Sequence, residues 1–512
     1  MSSVNPIIPG FAPDPSVVQV GDWFFLCNSS FHLFPGLPIY ASQDLVSWKQ
    51  IGNAINRPSQ LSLSKSDTRL HPLQDKDAVL VACGGLYAPT IRYNAGTFYI
   101  VCTNVINDGP KTTTANFIIS TADIWSDTWS DPVYFEFDGI DPSIFFDEPT
   151  GKTYIQGSAA PGPHTTINLF EVDLATGRKR SDEKTIWRGT GGIYPEGPHL
   201  YSRNGWYYLL IAEGGTHEGH MVTMARAKGI WGPYEACPSN PILTARDTDE
   251  YIQYTGHCDI FEDRRTGRWW CTCLGGRRDR DGRVIMGRET FITAMDWSGE
   301  WPVVDQVQLS PRGLAIDAAR PRLEAVPGVD LLYIHDPVLE NYSLVNGTSG
   351  TLTASRVDLS HPQRSPSFVG KRQRQLSGKS CVRIRNIDPA WGAEKLRTGL
   401  ASFKDEHRYV WIYYDAAALA VVVELVNKAK GIQRVERRPL ESAPTSLDLR
   451  IEYTETEYRL LYSTEGPVPG VHVATVDTLD LTDPDFTGPV FGICAFAARD
   501  GTKVEFQDLS ID

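Results

Sequence analysis

The stretch Asp14-Pro15-Ser16-Val17-Val18-Gln19-Val20-Gly21-Asp22-Trp23-Phe24-Phe25-Leu26-Cys27 sets an acid before a proline, runs into an apolar strand, turns at a glycine and returns as an aromatic strand. The same unit recurs along the chain. Residues 88–104 read APTIRYNAGTFYIVCTN, residues 141–158 DPSIFFDEPTGKTYIQGS, residues 196–214 EGPHLYSRNGWYYLLIAEG and residues 257–275 HCDIFEDRRTGRWWCTCLG. Two further short strands follow each copy, as in PIYASQDLVSWKQIG at residues 38–52. Gly21, Gly96, Gly151, Gly205 and Gly267 fall at the first turn, where a positive φ costs glycine little. The copies lie roughly 50 to 75 residues apart, the length of a propeller blade. No long amphipathic helical pattern competes. The expected fold is all-β, with an N-terminal five-bladed β-propeller over residues 1–310.

In a propeller the first strand of each blade lies nearest the axis. Asp14, Ala88, Asp141, Glu196 and His257 are therefore expected at equivalent strand ends around one channel, so that three carboxyl groups distant in sequence share a pocket. The repeat fades after Trp301-Pro302-Val303. LSPRGLAIDAARPRLEAVPG, residues 309–328, reads as a Pro- and Gly-bearing linker. Short alternating strands such as VWIYYD, LAVVVELV, LDLRIEY and YRLLYS then predict a C-terminal β-sandwich over residues 325–512. That half carries no comparable set of acids.

The bulk composition fits two folded domains in 512 residues, with 41% apolar and 22% charged content. A net charge of −13 argues against nucleic acid or an anionic membrane as partner. The mixed run Arg277-Arg278-Asp279-Arg280-Asp281-Gly282-Arg283 reads as a solvated loop. Nine cysteines are an odd count for a disulfide framework. Cys102, Cys271, Cys273 and Cys494 sit in apolar runs, where free Cys packs as a small hydrophobe. No second Cys pair at zinc spacing accompanies Cys271 and Cys273. The start MSSVNPIIPG has no basic opening and no long apolar run, and no segment reaches membrane-spanning length. A cytoplasmic protein is expected; the alternative is a secreted one given without its leader. Asn28-Ser29-Ser30, Asn341-Tyr342-Ser343 and Asn346-Gly347-Thr348 fit the glycosylation pattern.

Hydrolysis of a glycosidic bond needs a protonated acid at the leaving oxygen and a carboxylate on the other face of the sugar. The acid must hold its proton near neutral pH, which burial and a neighbouring like charge favour. Three carboxyls in one pocket supply a base, an acid and a third group that tunes the acid. A single Asp-Pro-Ser is a common turn; three acids in a matched repeat are a stronger signal. An acidic channel that holds calcium without chemistry is the alternative.

At this point the chain resembles glycoside hydrolase family 43. The resemblance rests on NPIIPGFAPDPS from Asn5, GGLYAPTIRY from Gly84, GIDPSIFFD from Gly139, YPEGPHLY from Tyr194, AEGGTHEGHMV from Ala212, TGHCDIFED from Thr255 and GRETF from Gly287. It is nearest the β-xylosidase/α-L-arabinofuranosidase branch, whose C-terminal sandwich is a concanavalin-like jelly roll. The resemblance implies an inverting mechanism with Asp14 as general base, Glu196 as general acid, and Asp141 raising the pKa of Glu196 and orienting it. It implies substrate contacts from Phe31, Tyr87 (where many relatives have Trp), Arg288 and His257. His257 would be a structural group beside a calcium ion or water cluster, with no cofactor required and no firm metal site. Residues Phe496-Ala497-Ala498-Arg499-Asp500 would be a loop from the sandwich over the pocket.

The expected activity is that of a xylan 1,4-β-xylosidase removing terminal β-1,4-xylose from xylo-oligosaccharides or arabinoxylan fragments, with action on terminal α-L-arabinofuranose. The alternatives are a dedicated α-L-arabinofuranosidase and a non-catalytic sugar-binding propeller. A homo-oligomer is compatible with the sequence.

Overall fold

The computed structural model describes residues 3–73, 78–317, 322–464, 466 and 470–511. The N-terminal half is built on five sheets, each with an antiparallel four-strand meander at its heart; in the first, the short strand Leu33–Phe34 stands outside the meander and pairs with Tyr333–Ile334. Their first strands are Ser16–Val20, Gly85–Asn94, Gly139–Asp147, Glu196–Arg203 and Ile252–Asp263. Each first strand packs on the next, and the fifth packs back on the first, so the sheets close a ring. The five turn glycines all have positive φ, from 59° at Gly21 to 83° at Gly96. A Cβ at any of them would meet nothing within 4 Å, so it is the backbone angle and not space that calls for glycine there.

The ring is fastened by the start of the chain. Ile7 N–H donates to Thr290 O at 2.9 Å, beside a bridge between Ile8 and Thr290. The Asn5 amide donates to Ile292 O at 2.8 Å and Gln308 O at 2.7 Å, while its oxygen accepts from Ile292 N–H at 3.0 Å. Apolar wedges fill the gaps between sheets. Phe25, Phe98 and Phe117 lie between the first and second, and Ile144, Ile155 and Phe170 between the second and third. Full burial of such a side chain contributes about 2–3 kcal/mol.

The C-terminal half packs a seven-stranded antiparallel sheet on a six-stranded one. Ser446–Tyr453 alternates half-buried and buried along its length, and Leu447, Leu449 and Ile451 meet Val410 and Ile412 in the sandwich core. Strands Arg408–Asp415, Ala420–Asn427 and Glu457–Ser463 stand where VWIYYD, LAVVVELV and YRLLYS predicted them. The segment expected as a plain linker is partly structured. Leu323–Ala325 adds a parallel strand to the outer edge of the first sheet, beside Trp48.

Arg277–Arg283 also differs from the expected solvated loop. Arg277 forks onto buried Glu289 at 2.7 and 2.8 Å. Arg283, itself buried, pairs with Asp279, Asp281 and, across to the sandwich, Asp477. Neighbouring carboxylates supply the partners that draw these guanidiniums in. Eight of the nine cysteines are buried as free thiols. Asn28 is wholly buried and so is no glycosylation acceptor in the fold. Among the described residues no helix is long and apolar enough to cross a membrane.

Candidate active site

Asp14, Asp141 and Glu196 line one cavity of about 400 Å3, with Phe31, Tyr87, His257 and Arg288 in its wall. The structure thus brings together all seven residues singled out in the sequence. It corrects the register of one. The inner strands bulge between Tyr87 and Thr90, Ile140 and Ser143, Glu196 and His199, and Gly256 and Asp259. The first residue inside each bulge has a left-handed backbone: Ala88 at φ 37°, Asp141 at 53°, Gly197 at 56° and His257 at 47°. Asp14, at φ 54°, enters the first strand in the same way.

Gly197 is therefore the counterpart of Asp14, Ala88, Asp141 and His257. Glu196 lies one residue earlier, in the register of Tyr87 and Ile140. A left-handed conformation costs a non-glycine residue on the order of 1 kcal/mol or more. Strain of this kind persists where the surroundings impose it, here at four of the five ring positions.

Asp14 is 5% exposed. Burial pushes its carboxyl up, but the Arg288 guanidinium, His257, the Ser29 hydroxyl and His220 outweigh that and hold it below the ordinary aspartate value. Arg288 Nη1 stands 3.6 Å and His257 Nδ1 3.7 Å from Asp14 Oδ1. Glu196 is shifted the other way. Burial first, then the charges of Asp141 and Asp14, push its carboxyl well above the ordinary glutamate value against a weaker pull from Arg288. Asp141 is raised by burial and by Asp14; His257, the Gly197 N–H and Arg288 oppose without cancelling. One cavity thus favours the ionised form at Asp14 and the protonated form at Glu196, with Asp141 shifted in the same direction as Glu196.

Arg288 is no surface ion pair. It is 6% exposed, donating to Thr216 Oγ1 at 2.9 Å and to Phe486 O at 3.2 Å. Its guanidinium lies over the Phe31 ring at 5.5 Å and the Phe486 ring at 4.9 Å. Phe31, Tyr87 and Phe486 form an aromatic cluster, with Phe31 4.8 Å from Tyr87 and 5.9 Å from Phe486 between centroids.

Phe486 belongs to the sandwich, and this corrects the choice of closing loop. Phe496 instead lines a separate groove of about 430 Å3 on the sandwich with Tyr409 and Trp411, and Asp500 is tied to Arg356 at 3.0 Å. The loop that reaches the cavity is held by Asp485, buried between Lys404, at 2.5 Å, and Arg408. Asp485 O accepts from His217 Nε2 at 3.3 Å, and Pro484 O accepts from Val81 N–H at 2.8 Å.

Sequence reasoning also passed over Glu213. It is wholly buried in the cavity wall and accepts from Thr190 N–H, Thr190 Oγ1 and Thr223 Oγ1 at 2.7–2.8 Å. It thereby ties down the segment leading to Tyr194 and Glu196. Among the described residues no group of three or more His, Cys, Asp or Glu side chains is arranged to hold a metal.

A ring of sheets with opposed carboxyls in a sugar-sized central cavity defines a glycoside hydrolase. The model of the glycosyl hydrolases family 43 matches residues 3–302, and that of the β-xylosidase C-terminal concanavalin A-like domain matches residues 325–511. The chain belongs to glycosyl hydrolases family 43. It is 31% identical to a non-reducing end α-L-arabinofuranosidase of Bacteroides ovatus, over 96% of this chain and 90% of that protein. It is 40% identical to a xylosidase/arabinosidase of Butyrivibrio fibrisolvens, over 59% of this chain and 56% of that one. A solved family 43 structure from a Bacteroides ovatus xyloglucan locus superposes with a TM-score of 0.84 at 29% identity, covering 99% of this chain and 100% of that one.

Proposed function

We propose that the ring of sheets is a five-bladed β-propeller, residues 1–310, whose axial cavity hydrolyses terminal glycosidic bonds with inversion, and that residues 325–512 form the domain that narrows its mouth. The observation that carries this reading is the opposed state of two carboxyls in one cavity. Arg288 and His257 lower the Asp14 carboxyl and so favour its ionised form, while burial, Asp141 and Asp14 raise the Glu196 carboxyl and so favour its protonated form. Asp14 takes the proton of a water that attacks the anomeric carbon. Glu196 gives its proton to the leaving oxygen. Asp141 keeps Glu196 protonated at rest and accepts from the neighbouring Gly197 N–H at 3.1 Å, which sets the geometry between the two acids.

The substrate is a short chain whose non-reducing end enters the cavity. Arg288, with five fixed donors, suits adjacent sugar hydroxyls. The Phe31, Tyr87 and Phe486 rings form an apolar wall for the sugar face. Phe486 closes the side toward the sandwich, which favours release of single terminal units. The xylosidase and arabinosidase names of the relatives support terminal β-1,4-xylose with α-L-arabinofuranose as second substrate. The long alignment to an α-L-arabinofuranosidase favours, as the second reading, a dedicated enzyme of that kind.

Initial rates on nitrophenyl β-xyloside, nitrophenyl α-L-arabinofuranoside and xylobiose decide the matter. Turnover of xyloside and xylobiose is expected, with a lower rate on the arabinofuranoside. Turnover of the arabinofuranoside alone would select the second reading. Xylobiose bound and never cleaved would leave a sugar-binding propeller.

A further inference from the structure

Ser29 follows the aromatic strand Trp23–Cys27 and is wholly buried. It is not among the residues that line the cavity. Its hydroxyl nevertheless joins two of the five ring positions. The Ala88 backbone N–H donates to Ser29 Oγ at 2.7 Å, and Ser29 Oγ donates to Asp14 Oδ2 at 2.5 Å. A hydroxyl carries one proton and has two lone pairs. With Ala88 N–H filling an acceptor site and an ionised carboxylate able only to accept, that proton is directed at Asp14.

The preceding residue holds the main chain in the same place. The Asn28 amide donates to Ala12 O at 3.1 Å, Pro13 O at 2.8 Å and Thr290 Oγ1 at 2.9 Å. Ser29 N–H donates to Pro13 O at 3.3 Å. Asn28 thus fixes the backbone that enters Asp14, and Ser29 grips its carboxyl. The other oxygen, Oδ1, faces Arg288 and His257 at 3.6 and 3.7 Å, beyond good hydrogen-bond distance.

We infer that Ser29, seated by the Ala88 N–H, is a positioning residue that pins Asp14 Oδ2 and leaves Oδ1 as the oxygen that receives the proton of the attacking water. The inference rests on Asp14 as the general base. It also explains why the second sheet can spare an acid at its ring position: Ala88 contributes a backbone donor in place of a side chain.

The test is the pH dependence of kcat/KM on nitrophenyl β-xyloside for wild type, Ser29→Ala and Ser29→Cys, with Asp14→Ala beside them. A bond made only to the ionised carboxylate stabilises that form, so removing it raises the pH at which the base is lost. The acid limb of Ser29→Ala is expected to move up by about one pH unit, with KM at the optimum nearly unchanged. Ser29→Cys, close in volume and a weak donor, is expected to shift less, and it alone decides if Ser29→Ala does not fold. An acid limb unmoved in the folded variants, with Asp14→Ala inactive, overturns the role of Ser29 and leaves Asp14 as base. Near-normal turnover in Asp14→Ala overturns the base assignment itself.

Discussion

Gly197 is the register counterpart of Asp141, and its backbone N–H donates to the Asp141 carboxylate at 3.1 Å. The residue beside the acid Glu196 is thus bonded to the acid that raises it. A shift of Asp141 would carry into the peptide that bears Glu196, so the two acids keep one geometry. Glycine suits this position because a Cβ there would sit 3.0–3.2 Å from the His257 ring, which would have to shift; the φ of +56° is one that the non-glycine ring residues also adopt.

Gly197→Ala should therefore disturb Glu196, Asp141 and His257 together. A fall in kcat of about 100-fold is expected, the scale of an ångström-level misplacement, with a smaller change in KM. Steady-state kinetics on nitrophenyl β-xyloside measure both. A variant with wild-type kcat would show that this peptide does not set the acid.

Glu196→Gln separates chemistry from stability. Turnover on xylobiose should drop by several orders of magnitude, since the proton donor is gone. Stability should move the other way. The folded carboxyl sits above its ordinary value, so the folded state binds the proton more tightly than the unfolded chain. That contribution is fully present below the unfolded value and is lost as pH rises toward the folded one. At pH 7–8 a neutral Gln removes the penalty, and the Tm of Glu196→Gln is expected at or above that of wild type. A clearly lower Tm would contradict the protonated state of this acid.

Phe486 and Asp485 test the contribution of the sandwich. Phe486→Ala removes an aromatic wall, and kcat/KM for xylobiose should fall about tenfold or more with little change in Tm. Asp485→Ala leaves Lys404 and Arg408 buried without that carboxylate. A loss of about 3–5 kcal/mol is expected, read as a lower denaturant midpoint. Unchanged xylobiose kinetics in Phe486→Ala would mean that the sandwich does not shape the bound chain.

Much of this site was legible in the chain because the repeat marks it. Asp14 and Asp141 each precede a proline, and that signal places them at one ring position. Aligning the copies on their acids misplaced Glu196 by one. The prolines held the right register: Pro15, Pro89, Pro142 and Pro198 are equivalent, and Glu196 stands two residues before its proline, not one. Phe486 and Ser29 were not legible. Each lies in an irregular segment with no periodicity, and each acts through a contact that only the closed fold creates. The same holds for Arg283, whose partner Asp477 lies in the other domain.

Acid should weaken the fold through its buried histidines before it titrates many carboxylates. Burial first of all pushes His199 and His220 down to about 3 and His217 and His335 to about 4, and His32 is also well below its ordinary value. With folded values depressed, this stability is complete above the unfolded histidine value and is lost as pH falls through the folded values. Each such histidine contributes a slope of about 1.4 kcal/mol per pH unit inside that window. Urea denaturation at pH 7, 6 and 5 should show a steep decline in unfolding free energy. A flat profile between pH 7 and 5 would contradict the dominance of these histidines over the raised carboxyls of Glu196 and Glu406, whose contributions run the other way.

The division of labour between Asp14 and Glu196 is tested most directly by the anomer first released. If Asp14 activates water while Glu196 protonates the leaving oxygen, water enters opposite the departing group. Proton NMR of xylobiose hydrolysis, read before mutarotation, should then show α-xylose as the initial product. Initial β-xylose would mean retention through a covalent intermediate and would contradict Asp14 as the water-activating base.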